Sequence, residues 1–249
     1  MNDPTSLLSK VIAAHGGLER WNSFEALDAE ISAAGFLFTA KRRPVLDRVR
    51  MRAWIREPRF ALYDFPQRGQ VAELIGTKEV RITDANGLVL ARRADPRSAF
   101  RSFRHLFSWD DLDFTYFAGY ATWNYLMEPF LLTWPGFVIT ELSPAKIEAS
   151  DFRRLRVAFP DNIPTHCREQ TFYFDEGFIL RRLDYTAEVV GGWAHAAHLC
   201  EEYRTFGGIQ APTKRTVLPL LFGLSPLPGP KLVAIDLHGL KPVIAKGAA

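Results

Sequence analysis

Residues Phe114 to Trp134, FTYFAGYATWNYLMEPFLLTW, form the most unusual segment of the chain, with Glu128 as their only charge. Five large side chains in this segment recur at the spacing of one helical face. We call them the aromatic stripe: Tyr116, Tyr120, Trp123, Met127 and Phe130. Because a helix that is apolar around most of its circumference must be covered on several sides, this one is predicted to lie inside the protein.

Two interpretations of the aromatic stripe are open. The five side chains can be core residues that close a sheet, or they can line a small-molecule pocket with flat apolar walls and a few hydroxyl and indole donors. In the second case they are the predicted ligand-binding residues. A transmembrane helix is not predicted, because Gly119, Asn124 and Pro129 interrupt the apolar run.

On both sides of this segment the hydrophobic pattern alternates, as in β-strands. Residues 25–92 are predicted to form a first strand meander, residues 96–134 the aromatic plug helices, and residues 137–240 a second meander. Within the first meander, alternation predicts strands at Gly35–Lys41 and Leu46–Ile55. We therefore predict a mainly β (α+β) protein, a single domain over 1–249, in which a large curved antiparallel sheet of about 11–12 strands wraps around helices.

The N-terminal segment 5–22 is predicted to be helical. Leu7, Leu8, Val11 and Ile12 form one apolar face, and the glycines of His15-Gly16-Gly17 end it, because glycine takes the left-handed conformation at no steric cost. A second helical turn is predicted at Leu18–Trp21.

Composition restricts the function classes. The 249 residues are 47% hydrophobic and 24% charged, which is ordinary for a globular protein, and a net charge of +3 does not indicate a nucleic-acid partner. Two cysteines, Cys167 and Cys200, are too few for a disulfide framework and are predicted to be reduced. The N-terminus shows no export signal, so a cytoplasmic location is expected.

Polar residues are densest between Asp184 and Arg204. If the faces that carry Asp184 and His198 point into an apolar hollow, burial would shift their pKa values and allow proton transfer. The predicted catalytic residues are therefore His198 and Asp184, with Tyr185 or Tyr116 as possible donors. Tyr185 lies on the opposite strand face from Asp184, so at most one of these two can point inward. The alternative is a row of ion pairs on the wet outer face.

No metal and no cofactor are predicted. His195, His198 and Cys200 do not match the spacing of a structural zinc site. The chain also lacks a phosphate-binding loop, a dinucleotide-binding glycine signature and a nucleophile motif.

Three motifs carry a resemblance to a known family. They are His15-Gly16-Gly17-Leu18-Glu19-Arg20-Trp21, the turn in FDEGFILRR over 174–182, and YRTFGGIQAPT over 203–213. In this order they resemble bacterial proteins with the lipoprotein-carrier (LolA/LolB-like) half-barrel. The resemblance implies a curved sheet around helices, with a hollow that holds acyl chains or other hydrophobic molecules. Because those carriers have an export signal, this chain resembles a divergent member with a changed cargo.

The first hypothesis for function is a lipid-binding protein, or one for another hydrophobic small molecule, with the cavity between sheet and helices. The alternative is a cofactor-free enzyme of isomerase, cyclase or hydrolase type, which needs convergent titratable groups in the same cavity. A third hypothesis is an interaction module that uses the arginines of 42–59. Residues 221–230, with PLPGP at 226–230, are either a lid or a connector.

Overall fold

A computed structural model describes residues 6–147, 149–221, 223 and 225–245. Its strands are β1 Phe24–Ala34, β2 Leu46–Trp54, β3 Arg59–Tyr63, β4 Val71–Ile75, β5 Glu79–Thr83, β6 Val89–Ala94, β7 Val138–Ile147, β8 Ser150–Ala158, β9 Glu169–Phe174, β10 Leu180–Thr186, β11 His195–Phe206, β12 Ile209–Pro219 and β13 Val233–Ile244. These thirteen strands form one antiparallel sheet that stays open, in the order β6-β5-β4-β3-β2-β1-β13-β12-β11-β10-β9-β8-β7. The predicted curved half-barrel is confirmed, with slightly more strands than expected.

The helices are short apart from the central one. They are α1 Leu7–Ala14, α2 Leu18–Asn22, α3 Phe36–Ala40 and α4 Asp111–Met127, with 3₁₀ turns at Pro96–Arg101, Phe103–Leu106 and Phe130–Thr133. The strand predicted at Gly35–Lys41 is wrong, because this segment forms α3. Gly35 has φ 141°, and the next two backbone N–H groups donate to the carbonyls of Lys231 and Leu232, which turns the chain away from the sheet.

The topology places α4 inside the curve of the sheet. The two meanders meet at β1 and β13, which pair near the middle of the sheet, and the helical segment 96–134 joins the edge strand β6 to the other edge strand, β7. A capping box fixes where α4 begins, because Asp110 and Asp113 each accept a hydrogen bond from the other's backbone N–H. The two strand meanders therefore form one sheet, and the helix between them in the sequence lies inside the curve of that sheet.

Two of the motifs that carry the family resemblance contact each other. The end of α1 packs on the β11–β12 hairpin so closely that a Cβ on Gly16, which has φ 117°, would lie 2.3 Å from the carbonyl oxygen of Gly208. The backbone N–H of Gln210 donates to the carbonyl of His15 over 3.0 Å. Residue 5 of the predicted helical segment 5–22 lies outside the described residues, and Ser6 caps α1.

The arginine row of β2 lies on the outer face of the sheet. Arg48, Arg50 and Arg52 pair with carboxylates of the sheet and the adjoining loop, namely Glu30, Asp64 and Asp28. Pairs at this exposure contribute about 0–1 kcal/mol each to stability. The row is thus a set of neutralised surface positions.

Candidate functional site

Helix α4 has two faces with different surroundings. One face packs on β3, β4 and β5, and Gly119 brings the helix so close that a Cβ there would lie 2.9 Å from the Cβ of Leu74. The aromatic stripe lies on this packed face and in the turn after it. Trp123 is fully buried and donates from its indole N–H to the carbonyl of Trp54, while Phe130 stacks on Trp21 with ring centroids 4.3 Å apart.

The opposite face of α4 borders a cavity of about 540 Å³. The residues of this cavity face follow one helical stripe of their own: Phe114, Phe117, Ala118, Ala121, Thr122 and Tyr125. The other walls come from α3 and from the inner faces of β1, β10, β11, β12 and β13. Most lining side chains are aliphatic or aromatic. A volume of about 300–1,000 Å³ with apolar walls and few polar groups is usual for small-molecule sites.

Exposed apolar side chains mark the mouth of the cavity. Five large apolar residues both line the cavity and are exposed: Phe36, Leu106, Phe107, Trp193 and Leu221. Trp193, for example, is 71% exposed. Leu221 begins the segment predicted to be a lid or a connector, of which residues 222 and 224 lie outside the described residues.

At the buried wall of the cavity, three tyrosines and one histidine form a hydrogen-bonded chain. Nδ1 of His166 lies 3.1 Å from the hydroxyl of Tyr120, and Nε2 lies 2.7 Å from that of Tyr125. The Tyr125 hydroxyl is also 3.0 Å from the hydroxyl of Tyr185. The His166 ring stacks on the Tyr185 ring at 4.1 Å. Of these four residues, all but Tyr120 line the cavity.

Burial keeps this chain of groups neutral. Burial and the nearby Arg97 guanidinium lower the pKa of His166 to about 3. Burial also raises the pKa of Tyr125 and Tyr185 well above the usual value for tyrosine. At neutral pH the wall therefore presents hydroxyl groups and an uncharged imidazole.

His198 lies on the inner face of β11, fully buried next to this chain. Its ring meets the Tyr125 ring edge-on at 4.4 Å, and its Nε2 lies 3.3 Å from the Arg215 guanidinium. Burial, followed by the charge of Arg215, lowers the pKa of His198 well below its usual value. Nδ1 of His198 has no hydrogen-bond partner among the described residues. An inward-pointing His198 was one of the two alternatives that the sequence left open, and neither Arg215 nor His166 was predicted as a site residue.

Asp184 and His198 do not come together. Across the β10–β11 pair the residue opposite His198 is Leu183, so Asp184 lies on the other face of the sheet. Its carboxylate accepts hydrogen bonds from Arg182 and, over 2.7 Å, from the Tyr173 hydroxyl. Of Asp184 and Tyr185, only Tyr185 points inward, and it lines the cavity. Among the predicted catalytic residues, only Tyr185 and His198 share a face.

The aromatic stripe and the cavity lining are different sets of residues. None of the five stripe residues belongs to the described lining of the large cavity. The large side chains of the aromatic stripe fill the space around them, whereas a cavity forms where side chains are small. Ala118, Ala121 and Thr122, which share a face with Phe114 and Phe117, were the signal in the sequence that could have located it.

The remaining predicted features are two cysteines, which are not among the described lining residues of the cavity, and His195, which is one of them. Cys167 and Cys200 are both buried free thiols. His195 hydrogen bonds to the Thr186 hydroxyl at the surface, over 2.8 Å. Within the described residues, no group of three or more His, Cys, Asp or Glu side chains could hold a metal ion.

No helix of the described part of the chain has the length and apolar character needed to span a bilayer.

Comparison with known proteins identifies the fold. No family model matches the chain, and no curated protein sequence matches it. Among solved structures, it is similar to a LolA superfamily protein from Nitrosomonas europaea, with a TM-score of 0.52, 12% identity, and coverage of 97% of this chain and 94% of that one. A DUF1329 family protein from Desulfovibrio piger has a TM-score of 0.52 and 12% identity over 99% and 95% of the two chains.

A third similar structure is an outer membrane lipoprotein-sorting protein domain from Vibrio parahaemolyticus. It has a TM-score of 0.51 and 12% identity over 92% of this chain and 90% of that one. The predicted resemblance to the lipoprotein-carrier half-barrel is therefore confirmed at the level of the fold: the chain has the LolA-type architecture in divergent form.

Proposed function

We propose that this protein binds a hydrophobic small molecule or acyl chain in the cavity between α4 and the second meander. The observation that carries the proposal is the combination of a cavity of about 540 Å³ with a mouth of exposed apolar side chains. Exposed apolar groups clustered around an apolar hollow favour the transfer of an apolar molecule out of water. The family resemblance implies the same kind of cargo. A cytoplasmic location stays a prediction.

Catalysis is the second candidate, and one observation favours it: Tyr125, His166 and Tyr185 converge on the cavity wall within hydrogen-bond distance. General acid–base catalysis works best when the pKa of the catalytic group lies near the working pH. The pKa of His166 is lowered to about 3 and those of the tyrosines are raised, so these groups hold their protons and charges fixed near pH 7. This arrangement supports binding better than proton transfer.

Nile red, a neutral dye that fluoresces in apolar surroundings, tests the proposal. We expect it to bind the purified protein, and we expect Ala121→Leu to weaken binding at least tenfold, because the new side chain occupies the cavity that Ala121 lines. Ala13→Leu is the matched control, since Ala13 is an exposed helical residue in α1. It should bind the dye as the unchanged protein does.

Native mass spectrometry provides an independent measurement. A hydrophobic species that co-purifies with the unchanged protein and with Ala13→Leu, but not with Ala121→Leu, would support the proposal. If Nile red does not bind and no such species is found, the proposal is wrong. Unchanged binding of Nile red by Ala121→Leu would show that the dye binds outside the cavity.

A further inference from the structure

We propose that the cavity recognises a neutral, largely apolar molecule through one acceptor oxygen, which lies at the buried wall beside Tyr125 and Tyr185. This inference rests on the proposed binding function and names the chemistry of its ligand. The site differs from a wholly apolar pocket in one respect. The polar group of the ligand lies at the buried wall, and the apolar part of the ligand faces the mouth.

The hydrogen-bonded chain has one more donor hydrogen than it has hydrogen bonds. The chain of Tyr120, His166, Tyr125 and Tyr185 contains three hydrogen bonds. Three tyrosine hydroxyls and one neutral imidazole supply four donor hydrogens, one from each residue. Each hydrogen bond uses one of them, so one donor hydrogen remains without an acceptor within the chain.

The unused hydrogen has three possible positions, and two of them are on residues that line the cavity. If every hydrogen bond points from Tyr120 towards Tyr185, the Tyr185 hydroxyl ends the chain with a free donor at the cavity wall. If Tyr185 donates back to Tyr125 while His166 also donates to Tyr125, the free donor is on Tyr125, which lines the cavity as well. In the third arrangement it is on Tyr120, enclosed in the core. An acceptor oxygen in the cavity selects the first two, since a buried donor without a partner is costly.

The side chains that line the cavity favour a neutral oxygen over a carboxylate. The buried Arg215 guanidinium lies 5.1 Å from the Tyr125 ring centroid, but it donates to the Tyr125 backbone carbonyl and is not among the described lining residues. The chain itself is uncharged, because the pKa of His166 is too low for protonation near pH 7. Lys41 is the one lysine among the described lining residues, and its ammonium already donates to the carbonyls of His105 and Leu106 over 2.8 and 2.9 Å. A ketone, ester or ether oxygen accepts a hydrogen bond without bringing a charge into this wall.

Three naphthalene probes of similar shape test the inference. Acetylnaphthalene carries a carbonyl oxygen, isopropenylnaphthalene replaces that oxygen with a methylene group, and naphthoate carries a charge. We measure the displacement of Nile red by each probe from the unchanged protein and from the double variant Tyr125→Phe/Tyr185→Phe. The preference for acetylnaphthalene over isopropenylnaphthalene should be about fivefold greater in the unchanged protein, as expected for one neutral hydrogen bond.

Tyr173→Phe is the matched control, because the Tyr173 hydroxyl donates to Asp184 on the outer face, away from the cavity. It should leave the preference unchanged. The infrared carbonyl stretch of acetylnaphthalene gives a second readout that needs no variant. Bound to the unchanged protein, it should shift to lower wavenumber than in hexane.

The outcomes separate this inference from the proposed function. If both uncharged probes displace Nile red equally well and the carbonyl band does not shift, the binding function stands and the acceptor-oxygen inference is wrong. Tighter binding of naphthoate than of acetylnaphthalene would also overturn it. Failure of all three probes and of Nile red to bind would contradict the proposed function itself.

Discussion

The two faces of α4 show how one helix can be both a structural core and the wall of a binding cavity. On the packed face, large side chains and a close approach at Gly119 leave no space between the helix and strands β3–β5. On the cavity face, Ala118, Ala121 and Thr122 stand among larger residues, and about 540 Å³ stays open. Side-chain volume on a buried helix thus decides whether the space beside it is filled or left as a cavity.

The largest expected effect is on the packed face. Trp123→Ala should lower the free energy of unfolding by about 3–5 kcal/mol, because Trp123 is fully buried and its removal leaves a void that close packing cannot fill. Phe117→Ala on the cavity face should cost less, since that side chain already borders open space. Urea unfolding measures both. Equal losses would contradict the distinction between the two faces.

The pH dependence of stability tests the burial of Glu128, which lies just after the last residue of α4. Burial raises the pKa of Glu128 to about 8 from 4.5, so between these values the folded chain holds a proton that the unfolded chain has released. The free energy of unfolding then falls as pH rises, by about 1.4 kcal/mol per pH unit. From pH 6.5 to 8, this amounts to about 2 kcal/mol.

Below pH 6.5 three buried histidines act in the opposite direction. The pKa of His15 is lowered to about 4 and that of His166 to about 3, while that of His198 is lowered well below 6.5, in each case chiefly by burial. The unfolded chain binds protons there that the folded chain does not, so stability falls as pH falls. These groups together predict maximal stability near pH 6.5. Glu128→Gln should remove the decline above that pH, and an unchanged decline would contradict the assignment.

A small residue tests the close approach on the packed face. Gly119→Ala should lower stability by about 1–2 kcal/mol, because the new Cβ would lie 2.9 Å from the Cβ of Leu74. Away from such a contact, replacing glycine by alanine inside a helix stabilises by about 1 kcal/mol. A gain in the midpoint of thermal unfolding would show that the packed face has room.

The smallest effect on stability is expected when a larger side chain is introduced on the cavity face of α4. Ala121→Leu should change the free energy of unfolding by less than about 1 kcal/mol, because leucine is a good helix former and the cavity accepts its volume. Its effect should appear in the loss of Nile red binding instead. A strongly destabilised Ala121→Leu would mean that the cavity cannot admit a side chain.

The elements of the fold could be predicted well from local patterns. Alternation located most strands, and the spacing of the aromatic stripe located α4, since both follow from which side chains a single element buries. Gly35–Lys41 was assigned to a strand because its pattern is too short to separate a strand from a helical turn. The backbone contacts of Gly35 with the chain near Leu232, almost two hundred residues away, decide its conformation.

The candidate site could be predicted only in part. Tyr185 and His198 are predicted as site residues because each is a titratable side chain on a predicted strand. His166 was missed, since it lies in the loop before β9 and no local period marks it. It meets Tyr125 and Tyr185 only through the packing of that loop between α4 and β10. Asp184 was paired with His198 because the register of β10 against β11 is not visible in either strand alone.

Local sequence patterns are enough to predict an antiparallel sheet around a buried aromatic helix, because strand alternation and helical period are short-range properties of the chain. Local patterns do not reveal which face of α4 packs against the core and which borders the cavity. They also do not reveal that a loop histidine joins three tyrosines at the cavity wall. Both depend on the orientation of α4 relative to strands distant in sequence, and that orientation is set by the summed packing of the sheet.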